Sequence, residues 1–169
     1  MKANLSSQIK LDRTPKRYYR PANAFERTAL TRFEKIQTEI YESTEEGSSQ
    51  IAKEVSDLIR NRKKEGRFCV MALGSGPGTH SVYKELVRLH RDEKLSFSNV
   101  IVFNISEFYP LDEAAPGTTR ILQETLLNQV DIDPTNVFTP RGTTEKEGVF
   151  EFCKEYEKSI ENYGGLDLA

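Results

Sequence analysis

The chain has 169 residues, 37% of them hydrophobic and 30% charged, with a formal net charge of −2. That length fits one domain with a sizeable core. No apolar run is long enough to cross a bilayer and no signal-peptide pattern opens the sequence, so a cytoplasmic protein is expected.

The small net charge hides an asymmetry: residues 1–20 carry six basic residues against Asp12, a net +5, which leaves −7 for the rest. Residues 1–22, with Pro15 and Pro21, show no sustained periodicity and read as an extended basic arm. Tyr18 and Tyr19 within it would suit nucleic acid. One short basic segment is weak grounds for that, and an arm lying over an acidic surface of its own protein or of a partner subunit is preferred. Neither a nucleic acid nor a membrane is expected as a partner.

Residues 23–66 read as N-terminal helices. Phe25, Ala29, Phe33, Ile36 and Ile40 recur at helical spacing. Gly47 then interrupts, and Ile51, Val55, Leu58 and Ile59 mark a second helix that Gly66 ends.

Residues 67–169 alternate strands with helices. The run 67–73 is apolar on both faces, as a central parallel strand should be. Thr79 is expected to cap a helix carrying Val82, Tyr83, Leu86, Val87 and Leu89 on one face. A second buried-type strand covers 99–104, and a helix with Ile121, Leu122, Leu126 and Val130 follows. A short strand over 136–139 precedes a last helix outlined by Val149, Phe152, Cys153, Tyr156, Ile160 and Tyr163. Gly164-Gly165 ends it, and Leu166 starts another strand. This alternation implies an α/β fold: a mostly parallel sheet flanked by helices, built from right-handed crossovers. Cys69 and Cys153 fall in apolar patterns without metal-ligand spacing, so both are expected to be buried small hydrophobes.

Ligands of open α/β sheets bind beyond the carboxyl ends of the strands, and two loops occupy that position. The first, Gly74-Ser75-Gly76-Pro77-Gly78-Thr79, joins a strand to a helix. Small residues there bare backbone amides, and a helix start adds unpaired donors and a partial positive charge, a combination suited to phosphate. It is neither a dinucleotide fingerprint nor a Walker loop. For a dinucleotide site the expected acid could only be Asp92 or Glu93, near the end of a helix. The second loop carries Ser106 and Glu107, and Glu107 taken alone reads as a solvated or hydrogen-bonded loop residue. His80 lies in the first turn of the helix, where it could meet a ligand. His90 lies near the end of the same helix, where a cation suits the dipole.

With these loops in hand, the sequence resembles the glucosamine-6-phosphate deaminase/isomerase family, relatives of the 6-phosphogluconolactonases. The resemblance runs through Gly74–Thr79, Tyr83–His90, Leu95–Val100, Phe103-Asn104, Glu107-Phe108, Val130–Ile132 and Tyr163–Leu168, over about residues 45–169. It implies a modified Rossmann-like fold of the sugar-phosphate isomerase type. It also implies the conversion of glucosamine 6-phosphate to fructose 6-phosphate and ammonia, without metal or organic cofactor. By the same resemblance Gly74, Ser75, Gly76, Gly78 and Thr79 bind the sugar phosphate. Ser106 stands where the family has the aspartate that moves the proton at C2, and Glu107 keeps the next position. A hydroxyl without a partner base cannot do that carboxylate's work. Pro77 and Gly78 also depart from the usual Gly and Thr. The family continues into an Asp-Gly-His segment beyond Ala169, so an incomplete domain is expected, the N-terminal part of the long bacterial type. Little deaminase activity and a homo-oligomer or a further C-terminal domain as partner are expected with it. The alternatives are a non-catalytic phosphosugar-binding module, or a lactonase, which needs no base at C2.

Overall fold

The computed structural model describes residues 23–33, 38–111 and 117–169. The basic arm 1–22 and Ile36 lie outside them. The chain divides into two compact units, 1–40 and 41–169.

In the first unit, helix α1 spans Ala24–Thr31 and is capped by Asn23, whose Oδ1 accepts the Glu26 amide at 3.0 Å. It is shorter than the apolar spacing predicts. Phe33 lies past its end and is exposed, and Ile40 is outside any helix. Spacing alone does not extend a helix, because isolated short helices are marginal.

The second unit opens with α2, Thr44–Lys64. Ser43 accepts the Glu46 amide at 3.1 Å as its N-cap. Gly47 therefore lies within the first turn and does not separate two helices, contrary to the sequence expectation. Gly66 follows the C-cap Glu65 with φ +67°, the left-handed conformation that glycine takes at a helix end.

Strand β1 (Cys69–Leu73) leads through the glycine loop into α3 (Pro77–Glu93), and β2 (Val100–Asn104) follows. Helix α4 (Thr118–Thr125) runs into a 3-10 turn at Leu127–Gln129, which leaves Val130 outside the helix. The two-residue strand β3 (Val137–Phe138) and helix α5 (Val149–Asn162) complete the regular elements.

β1 pairs parallel with β2 in the register Cys69↔Val100 to Leu73↔Asn104, and β2 pairs parallel with β3. On the far side of β1, Leu168 bridges Met71, also parallel. The segment after α5 thus returns to the opposite side of β1 from β2.

Both central strands are buried along their whole length. One sheet face, with Cys69, Met71, Leu73, Val100 and Val102, packs with α2, α3 and α4 through Ala52, Ile59, Leu86 and Leu122. The other, with Val70, Ile101 and Phe103, meets Phe138 and the α5 residues Tyr156 and Ile160. Between α2 and α3, Ser48 donates to Ser81 at 2.7 Å, a small polar pair that lets the helices approach. Cys69 is buried as expected, whereas Cys153 is exposed on α5, because only the Tyr156–Ile160 stripe of that helix faces the sheet.

Candidate functional site

β1 is the strand at which the sheet order reverses, with β2 on one side and the Leu168 segment on the other. In open α/β sheets a crevice forms at the carboxyl end of such a strand. The glycine loop leaves β1 at that end. The second loop leaves β2 alongside it, where the Ile105 amide extends the ladder by donating to the Leu73 carbonyl at 3.0 Å.

Helix α3 begins earlier than the sequence predicts. Gly76 is its N-cap, Pro77 its first residue, and Thr79 its third. Proline suits that first position because its fixed φ fits and its missing N–H would have no partner in the helix. Thr79 therefore does not cap the helix by its position. Its hydroxyl accepts the Gly76 amide at 3.2 Å and lies 2.9 Å from the Gly76 carbonyl. The loop is tied from behind as well, since the Tyr83 hydroxyl donates to the Gly74 carbonyl. Burial raises the Tyr83 pKa and keeps the phenol protonated. Gly76 and Gly78 are exposed, and a Cβ at either would meet nothing within 4 Å.

Glu107 points into the protein from the second loop. Its Oε1 accepts the amides of Phe108 at 2.9 Å and Thr118 at 2.7 Å, and its Oε2 accepts the amide of Thr119 at 3.0 Å. Thr118 and Thr119 open α4, so the carboxylate caps that helix from another element, where a negative charge is favoured. Burial alone would raise the Glu107 pKa. The bonds from Thr119, Phe108 and Thr118 overcome it and hold the pKa at about 2. A carboxylate held so low is a weak proton acceptor. Ser106 is exposed at the same loop, and its carbonyl accepts the Thr118 hydroxyl.

Thr118 joins the two loops. Its carbonyl accepts the Ser75 hydroxyl at 2.8 Å while its amide serves Glu107. Asn104, buried at the end of β2, donates to the hydroxyls of Thr118 at 3.3 Å and Thr119 at 3.0 Å. Its carbonyl accepts the Tyr156 hydroxyl at 2.9 Å. Asn104 Oδ1 is buried and has no hydrogen-bond partner among the described residues. The predicted loop residues Gly74, Ser75, Gly76, Gly78, Thr79, Ser106 and Glu107 thus lie at one carboxyl edge of the sheet.

His80 is exposed in the first turn of α3. His90 sits in the last turn, where its Nδ1 lies 2.6 Å from the Leu95 carbonyl. Asp92 and Glu93 close α3 beside Arg88, at 3.8 and 3.0 Å, and not at the tip of β2. That placement removes them as ribose ligands of a dinucleotide. Sequence reasoning gave no role to Gly117, Thr118 or Thr119, which lie ten to twelve residues from Glu107.

No family model matches the chain. It is 55% identical over its full length to a glucosamine-6-phosphate deaminase-like protein of Bacteroides thetaiotaomicron, of which it covers 26%. It is 36% identical over 70% of its length to the glucosamine-6-phosphate deaminase of Clostridium botulinum, and 31% over 79% to that of Dictyostelium discoideum. It spans 48% and 50% of these two, about half their length. Among solved structures, a monomeric glucosamine-6-phosphate deaminase superposes over 78% of this chain and 53% of its own, with a TM-score of 0.70 and 25% identity. A 6-phosphogluconolactonase from Plasmodium vivax shares the fold, covering 71% of this chain and 41% of its own at a TM-score of 0.58 and 21% identity.

The fold and the paired loops define a partial Rossmann-like domain of the type shared by these deaminases and lactonases. Within that class, the chain is similar in sequence to the N-terminal halves of glucosamine-6-phosphate deaminases and to a deaminase-like protein.

Proposed function

We propose that this chain forms a hexosamine-phosphate site of the glucosamine-6-phosphate deaminase kind in carbohydrate metabolism, and that it holds such a ligand without deaminating it at an enzyme's rate. The observation carrying this reading is the position of the glycine loop, at the carboxyl end of the strand where the sheet order reverses, with the Ser106–Glu107 loop beside it.

In this reading the phosphate lies over the first turn of α3, against Gly74, Ser75, Gly76, Gly78 and Thr79. The Ser75 hydroxyl is committed to the Thr118 carbonyl, and the Thr79 hydroxyl and the amides of Gly76 and Thr79 are bonded within the loop, so the amides of Ser75 and Gly78 supply the contacts. Pro77 contributes none. Deamination of glucosamine 6-phosphate requires ring opening, transfer of a proton from C2 to C1, and replacement of the amine by water. Ser106 at the C2 position is no base for a carbon-bound proton, and Glu107 spends its oxygens on α4.

The two free thiols, Cys69 and Cys153, fit a reducing compartment such as the cytoplasm. Among the described residues no helix is long and apolar enough to cross a membrane.

Calorimetric titration with glucosamine 6-phosphate, paired with an ammonia assay, tests this reading. Saturable heat without ammonia release supports it. Ammonia release at ordinary enzyme turnover would overturn the non-catalytic part, and absence of binding would overturn the whole. If the family geometry is intact, Ser106→Asp raises ammonia release above the parent.

A further inference from the structure

We propose that Glu107 is a positioning residue that sets the glycine loop through Thr118, an inference resting on the sugar-phosphate reading above. The path is short and continuous. The carboxylate grips the amides of Thr118 and Thr119, and the Thr118 carbonyl, fixed by that grip, accepts the Ser75 hydroxyl at 2.8 Å. Ser75 adjoins Gly76, the N-cap of α3, so the orientation of the loop amides depends on a residue in the neighbouring loop.

The surroundings hold Glu107 in place from several sides. A Cβ at Gly117 would come within 2.7 Å of its Oε2. A Cβ at Gly142 would lie 3.3 Å from its Cγ and 2.6 Å from the Phe108 carbonyl oxygen. The Leu111 amide donates to the Gly142 carbonyl at 2.8 Å, fastening the same loop again at Leu111. Asn104 steadies the hydroxyls of Thr118 and Thr119 from below. Three backbone amides hold the carboxylate in this position.

The test is a double-mutant cycle on the whole chain. Glu107→Gln keeps the shape but turns one acceptor into a donor facing backbone amides, and Ser75→Ala removes the other end of the path. Each single change is expected to weaken glucosamine 6-phosphate binding about tenfold, and the double change to weaken it no further than either single one. Independent losses that multiply would overturn the inference, because a merely structural Glu107 would act without reference to Ser75. Amide hydrogen exchange supplies a reading free of the ligand. Glu107→Gln is expected to speed exchange at Gly76 and Thr79, whose amides are hydrogen-bonded within the loop, while leaving α2 unchanged. Unchanged exchange in the loop would sink the proposal even if the sugar phosphate binds. Faster exchange in a chain that binds no sugar phosphate would keep the linkage and reject only the assigned ligand. If Glu107→Gln does not fold, Ser75→Ala alone must speed exchange at the same two amides, and failure to do so contradicts the path.

Discussion

Arg62 of α2 reaches Asp167 with Nη2 2.7 Å and Nε 2.9 Å from the same carboxylate oxygen. The other oxygen of Asp167 accepts the Val70 amide at 3.0 Å, and the Asp167 amide donates to the Val70 carbonyl at 2.8 Å. One side chain thereby fastens the segment after α5 to β1 and ties both to α2, on which β1 packs. That segment flanks the strand from which the glycine loop leaves.

Asp167→Ala is therefore expected to cost about 2 kcal/mol, since the Val70 amide and the Arg62 guanidinium both lose a charged acceptor. Chemical denaturation measures the loss. Asp167→Asn, which keeps one acceptor, is expected to cost less. Equal stability of the alanine variant and the parent would mean that the clamp contributes nothing.

Glu107 should make the fold acid-sensitive. Its pKa is held at about 2, below an ordinary value of 4.5, so the folded chain binds that proton less readily than the unfolded one. The stabilisation is fully present above pH 4.5 and is lost as pH falls towards 2. Asp167 and Asp131, both held below the usual carboxylate range against the effect of their own burial, add to the same trend. For Asp167 the opposing partners are Arg62 and the Val70 amide, and for Asp131 the Phe97 amide and the Ser96 hydroxyl. Denaturation midpoints measured across this window should fall with pH in the parent and fall less steeply in Glu107→Gln.

The glycines separate structure from binding. Gly117→Ala would push a methyl to 2.7 Å from Glu107 Oε2, and Gly142→Ala to 2.5 Å from Leu111 Cβ. Each is expected to destabilise by about 1–3 kcal/mol through overpacking. Gly78→Ala meets open space inside the first turn of α3, so it should leave stability unchanged or raise it by up to about 1 kcal/mol. Its methyl stands where a phosphate would approach, so hexosamine-phosphate affinity should fall. A stable Gly78→Ala variant with undiminished affinity would remove the glycine loop from the site.

The aromatic face opposite α3 offers a core test. Phe103 stacks on Phe138 with ring centroids 4.6 Å apart and meets Tyr156 edge-on at 5.6 Å. Phe103→Ala is expected to cost about 3–5 kcal/mol. Phe150→Ala, on the exposed side of α5, should change stability by less than about 0.5 kcal/mol in thermal unfolding.

The strands were legible because β1 and β2 are covered on both sides and so read as unbroken apolar runs. Helix starts were harder to place. At α3 the proline at the first position carries the information, and Thr79 sits two residues later although its side chain looks like a cap. At α2 the pair Ser43 and Glu46 marks the start, and the glycine after it is tolerated in the first turn. Cys153 was misplaced because an apolar spacing on α5 does not reveal that the sheet takes only one narrow stripe of it. The carboxyl-edge position of both loops followed from strand order and chain direction. The bonds joining them through Thr118 did not, because a partner eleven residues away across a loop leaves no periodic trace.

The seat of a hexosamine phosphate on this chain is the decisive observation. A crystal structure of the intact protein soaked with glucosamine 6-phosphate answers this directly. The phosphate is expected over the first turn of α3, in contact with the amides of the Gly74–Thr79 loop, with C2 of the sugar turned towards Ser106. A ligand bound away from Ser75 and Thr79 would contradict it.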